Sequence, residues 1–149
     1  MRSEVDAMGM EWSIRQIKAA LAPYQAIHCE RQSGKTSALL DWVHEQCGMY
    51  QMRIGFITHD WNASRRVENE YNLRWPHYEC NPSGASLRPL PKVLFIPGNE
   101  LDRLNGITRT VVVDEWWLLR DEDRRKLIKE FQVLTAVGTI RSYSQVPLY

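Results

Sequence analysis

The chain has 149 residues, 44% of them hydrophobic and 25% charged, with a net charge of +1. That is enough for one domain with a core of its own, and it is too near neutrality for a polycation that coats nucleic acid. No run reaches the roughly 18 apolar residues a bilayer span needs, and Met1-Arg2-Ser3-Glu4-Val5-Asp6 has none of the apolar character of a secretory leader, so neither a membrane partner nor export is expected.

Met10, Ile14, Ile17 and Leu21 recur at helical spacing and predict a helix over 11–21, stopping before Pro23, within an N-terminal helical segment at 1–22. A short strand follows from Tyr24 to Cys29, then a helix over 35–47 with Leu39, Leu40, Val43 and Cys47 on one face. Met52 to Thr58 reads as a strand, and 62–74 as a helix with Ala63, Val67 and Tyr71 aligned, ended by Pro76. Residues 76–91 hold Pro76, Pro82, Gly84, Pro89 and Pro91, the one long irregular excursion. Val93 to Ile96 is a strand. Thr110 to Asp114 is the clearest strand, because Val111, Val112 and Val113 in a row predict burial on both faces. A helix over 121–131 and a strand over Val133 to Val137 complete the series. This alternation predicts a single α/β domain over 1–149, with a mostly parallel central sheet flanked by helices.

Three cysteines, Cys29, Cys47 and Cys80, are an odd and widely spaced set, which reads as reduced thiols in the cytoplasm. His77-x-x-Cys80 has metal-like spacing, but no second pair completes a zinc site. Some of the six tryptophans are expected in the core and one or two as surface anchors for a partner; for Trp116 and Trp117 the core is expected ahead of an interface. Lys and Arg are locally dense at Arg120, Arg124, Arg125, Lys126 and Lys129, and the last four follow Asp121, Glu122 and Asp123 in the order a helix dipole favours, so a solvated helix face is the first reading and a nucleic-acid contact the second.

Chemistry is carried by two segments. Cys29-Glu30-Arg31-Gln32-Ser33-Gly34-Lys35-Thr36 lies between a predicted strand and a predicted helix, as a phosphate loop requires. Backbone N–H groups at the helix start can face phosphates, Gly34 permits close approach, Lys35 brings a positive charge, and Thr36 offers a hydroxyl to Mg²⁺. Gln32, Ser33 and Ser37 complete the expected nucleotide contacts. Cys29 stands where the full pattern has glycine. About 80 residues on, the valine strand delivers Asp114-Glu115 to the carboxyl edge of the sheet, where ligands of open α/β sheets bind. Asp114 is expected to hold the metal's hydration shell, and Glu115 to polarise an attacking water. Leu134 to Thr139 adds a strand ending in a small polar residue that could sense the terminal phosphate.

The first segment resembles the Walker A loop of large terminase subunits, the ATPases that package DNA into tailed-phage and herpesvirus capsids, whose loop often reads Arg-Gln-x-Gly-Lys-Thr with its first glycine replaced. Leu104-Asn105-Gly106 is similar to the Leu-Arg-Gly step that precedes that family's Walker B strand, with Asn105 in the arginine's place, and Gly138-Thr139 resembles its coupling motif. The matched segments span 29–139. The resemblance implies a P-loop NTPase of the ASCE type using ATP and Mg²⁺. It implies Arg31 at the terminal phosphate, Lys35 and Thr36 on phosphate and metal, Asp114 on the metal through water, Glu115 as base and Thr139 as coupling residue. Gln16, about 18 residues ahead of Gly34, is the candidate for adenine recognition.

The expected function is an ATP-driven motor on double-stranded DNA, in viral genome packaging, working as a homo-oligomeric ring with portal or capsid. Ten residues follow Thr139, too few for the family's nuclease domain, so cutting is expected of a separate nuclease subunit. Three other readings stay open: a helicase-like or remodelling ATPase of replication or recombination, a nucleotide-binding structural or switch subunit with little hydrolysis, and a small-molecule kinase.

Overall fold

Strand and helix alternate as the sequence pattern requires, and the order of the strands brings the two predicted motifs to one edge. The computed structural model describes residues 15–16, 18–19, 25–29, 34–50, 52–76, 92–139 and 144–147. The elements are β1 (Gln25–Cys29), α1 (Lys35–Tyr50), β2 (Ile54–Thr58), α2 (Trp61–Arg74), β3 (Val93–Pro97), a 3-10 stretch (Gly98–Leu104), β4 (Thr110–Val113), a 3-10 turn (Trp116–Leu118), α3 (Asp121–Glu130), β5 (Gln132–Thr139) and β6 (Ser144–Pro147). Among the described residues the sheet has six strands in the order β3-β2-β4-β5-β1-β6. The first five run parallel and β6 lies antiparallel against β1.

The central strands are apolar because both their faces are covered. Val111, Val112 and Val113 are fully buried, as are Ile54, Phe56 and Ile57 in β2. One face packs Phe56, Val112 and Val137 against Leu39, Leu40 and Val43 of α1 and Val67 and Tyr71 of α2. The other packs Ile57, Val111 and Val133 against Leu101, Leu104, Trp116 and Leu127. Each such side chain contributes about 1.5–3 kcal/mol on full burial. Gly55 brings backbone and side chain close together: a Cβ there would stand 2.7 Å from Leu104 Cδ1.

Several boundaries depart from expectation. Helix α1 runs on to Tyr50, and β5 spans 132–139 because its last residues pair with β1 (His28↔Gly138, Cys29↔Thr139). β6 and both 3-10 segments carry no periodic pattern that would announce them. Arg15, Gln16, Lys18 and Ala19 are helical, within the expected first helix, and Lys18 pairs with Glu45 of α1. His77, Cys80 and nearly all of the 76–91 excursion lie outside the described residues. Trp116 is in the core at 4% exposure, but Trp117 is 47% exposed, against the expectation of a core role for both. The 3-10 turn puts them on different sides, and Trp117 meets the Arg124 guanidinium instead, 5.4 Å from its ring centre.

The basic run on α3 is largely committed to its own acids. Arg120 holds Asp123 through two hydrogen bonds (2.9 and 3.1 Å), Arg125 pairs with Asp121 at 2.7 Å, and Lys126 reaches Asp102 at 2.9 Å. No helix among the described residues is long and apolar enough to cross a membrane.

Candidate functional site

Parallel strands all end at the same edge, and the chain leaves that edge into α1 after β1, into α2 after β2, and into Asp114-Glu115 after β4. The sequence-distant halves of the predicted site therefore meet. Gly34 has φ of 87°, a conformation that favours glycine, and its carbonyl accepts from Ala38 N at 2.9 Å to close the first turn of α1. Lys35 and Thr36 sit in that turn, with Lys35 buried. Asp114 is fixed from below by its own N–H, which donates to Ile57 O at 2.8 Å.

Thr36 Oγ1 lies 3.1 and 3.2 Å from the two carboxylate oxygens of Asp114, and Lys35 Nζ lies 2.7 Å from Glu115 Oε1. Asp114 is buried at 6% exposure. Burial, followed by the neighbouring Glu115 charge, pushes its carboxyl up to about 6; the Thr36 hydrogen bond and the charges of Lys35 and Arg66 pull the other way. Glu115 itself is left-handed (φ 56°, ψ 57°), a conformation that costs a side-chain-bearing residue roughly 1–2 kcal/mol. The turn that follows, Trp116–Leu118, anchors Trp116 in the core and keeps that geometry.

Ser37 turns toward α2, where its hydroxyl donates to Glu70 Oε1 at 3.2 Å. Thr139 ends β5 in register with Cys29, on the same edge as Lys35 and Asp114. Gln16 is exposed. Arg31, Gln32 and Ser33 lie outside the described residues. Leu104-Asn105-Gly106 precedes β4 and so stands at the opposite end of that strand from Asp114: Leu104 is core, and Gly106 (φ 75°) makes the turn. The sequence reading missed the α2 side of the site. There Thr58 and Ser64, both buried, touch through their hydroxyls; Thr58 donates to Asp60 O at 2.9 Å; and the Asp60 side chain caps α2 by accepting from Ala63 N at 2.7 Å. The signal for the cap was present in His59-Asp60-Trp61 directly after a predicted strand.

A buried carboxylate beside a hydroxyl, at the start of a helix with a lysine in its first turn, is an arrangement for anions and a hard cation. Comparison with known proteins agrees at the level of the fold. No family model matches the sequence, and no curated protein matches it. Among solved structures the chain superposes on the SWI2/SNF2 ATPase core of Sulfolobus solfataricus in complex with dsDNA, with a TM-score of 0.56 and 14% identity over 93% of this chain. In fold it is similar to an ATPase core. It spans 31% of that chain.

Proposed function

We propose that this chain is a P-loop ATPase domain of the ASCE type that hydrolyses ATP with Mg²⁺ and acts on double-stranded DNA. The observation that carries the reading is the convergence of Thr36 on both oxygens of Asp114 beside the Lys35–Glu115 ion pair. The donor set suits Mg²⁺: a hydroxyl and a buried carboxylate supply oxygen ligands, and the carboxylate's raised titration is what a nearby cation would reverse. When bound, the metal would neutralise charge on the phosphates.

The chain's own groups would do the rest. Lys35 would exchange Glu115 for a phosphate oxygen, and Glu115, so released, would accept a proton from the attacking water. Arg31 would meet the terminal phosphate, Gln32, Ser33, Gly34 and Ser37 would line the nucleotide, Gln16 would read the base, and Thr139 would relay the state of the site. These roles rest on the terminase resemblance. So does the finer reading of a cytoplasmic genome-packaging motor, a ring acting with portal. The solved ATPase core bound to dsDNA supports the DNA partner and equally favours the helicase-like reading; binding to a portal protein would separate the two.

The test is steady-state ATP hydrolysis with and without duplex DNA. Duplex is expected to stimulate turnover, and Glu115→Gln to lower it at least about 100-fold while nucleotide still binds. Lys35→Ala is expected to lose binding as well. Bound nucleotide with no hydrolysis in any condition would overturn the motor and leave the switch reading.

A further inference from the structure

One face of α2 runs alongside the start of α1 in a fixed register. Glu70 accepts from the Ser37 hydroxyl at 3.2 Å, and one turn further down Arg74 donates to Asp41 at 2.9 Å and to the Ser37 carbonyl at 3.4 Å. Arg74 also lies 3.9 Å from Glu70. Residues spaced by four share a helix face, each about 6 Å along from the last. Arg66 is therefore the next member of this stripe, one turn up from Glu70, and it comes level with the N-terminal end of α1. Its charge is felt at Asp114. Among the described residues Glu70 and Arg74 are paired on this stripe, whereas Arg66 is exposed and has no ion pair or hydrogen bond. The α2 start is held by the Asp60 cap and the Thr58–Ser64 contact, so this arginine is carried by an anchored helix.

We infer that Arg66 is a second phosphate-binding arginine, which meets the terminal phosphate of a bound nucleoside triphosphate and makes the site prefer triphosphate over diphosphate. This rests on the phosphate-site reading above. The N-terminal end of α1 attracts anions through its unpaired N–H groups and dipole. Lys35 is already shared with Glu115 and Asp114 is negative, so the site's described residues leave one uncommitted cation, and it stands on the α2 side. A guanidinium there can bond two phosphate oxygens at once, where an ammonium makes a point contact.

Equilibrium binding of ADP and of a non-hydrolysable ATP analogue, both with Mg²⁺, tests this on wild type, Arg66→Ala, Arg66→Lys and Arg65→Ala. Arg66→Ala should weaken the triphosphate about tenfold or more and leave ADP within about twofold, since one charge-assisted contact is lost. Arg66→Lys should fall between, and Arg65→Ala should bind both as wild type does. An unchanged triphosphate-to-diphosphate ratio in both Arg66 variants would overturn the inference while leaving the phosphate site intact. Wild type that binds neither nucleotide, or Lys35→Ala that binds both normally, would overturn the site itself.

Discussion

The two ends of α1 are built on opposite rules. At its start, Lys35, Thr36 and Ser37 each meet a carboxylate, of Glu115, Asp114 and Glu70 in turn. Roughly two turns on, the His44 ring stacks on Trp75 (centroids 4.0 Å apart, planes 13° apart), Tyr71 OH lies 3.1 Å from His44 Nδ1, and Tyr71 packs on Phe95, which packs on Phe56. Cys47 is buried beside them, and burial pushes its thiol up to about 11. The aromatic end closes on itself with apolar contact, ahead of the exposed Met49 and Tyr50. The first does not: it holds a carboxylate against the cost of burial and a glutamate in a left-handed turn, features that concentrate at functional sites. One helix thus carries apolar packing along one stretch and the candidate site at its start.

The largest test of that division is Phe56→Ala. The side chain is fully buried and sits among Phe95 and the α1 leucines, so unfolding free energy by denaturant titration should drop by about 3–5 kcal/mol. Nucleotide affinity of the folded fraction should stay unchanged. A parallel loss of affinity would show that the ends are coupled through β2 and would break the comparison.

This division was half legible in the sequence. The valine run, the Gly34-Lys35-Thr36 triplet and Asp114-Glu115 are local signals, and a parallel sheet has no choice but to bring strand ends to one edge. What stayed hidden depends on register between helices. That Ser37 would meet Glu70, that Arg66 would follow it up the same stripe, and that Trp117 would be turned out while Trp116 was turned in are set by how α1, α2 and the Trp116–Leu118 turn pack. No spacing within one segment encodes that. β6 was missed for a related reason: Ser144–Pro147 has too little apolar alternation to announce a strand, and it exists as one by pairing with β1.

A smaller and more discriminating effect is expected from pH, in metal-free buffer. At the chemical end, Asp114 titrates near 6 in the folded protein and near 3.8 when exposed. The folded state therefore binds the extra proton between those values. The stability it adds is full below about 4 and is lost as pH rises through 6, on the order of 3 kcal/mol. At the aromatic end, burial lowers His44, opposed by the charges of Asp41 and Glu45. The folded state holds this ring neutral, so its contribution is lost as pH falls through the ordinary histidine range. Thermal melts from pH 7.5 to 4.5 should show Asp114→Asn losing the acid-side gain, and His44→Phe losing an acid-side penalty. Variants whose slopes match wild type would remove the electrostatic half of the comparison.

The smallest effect lies where the two ends share a support, at the cap of α2. Asp60 accepts from Ala63 N at 2.7 Å, and its loss in Asp60→Ala should cost about 1 kcal/mol, whereas Asp60→Asn keeps an acceptor and should stay near wild type. Further along α2, Tyr71 belongs to the aromatic end and Glu70 to the chemical end, one residue apart on adjoining faces. Fraying the first turn loosens the residues nearest the cap first, so Arg66 should feel it before Tyr71 does. The expected result for Asp60→Ala is a modest fall in preference for triphosphate over ADP, smaller than that of Arg66→Ala, with the near-ultraviolet signal of the Tyr71–Trp75 pair unchanged. If instead the aromatic signal changed and the nucleotide preference did not, α2 would be pinned at its start by Thr58 and Ser64 alone, and the cap would serve only the packing.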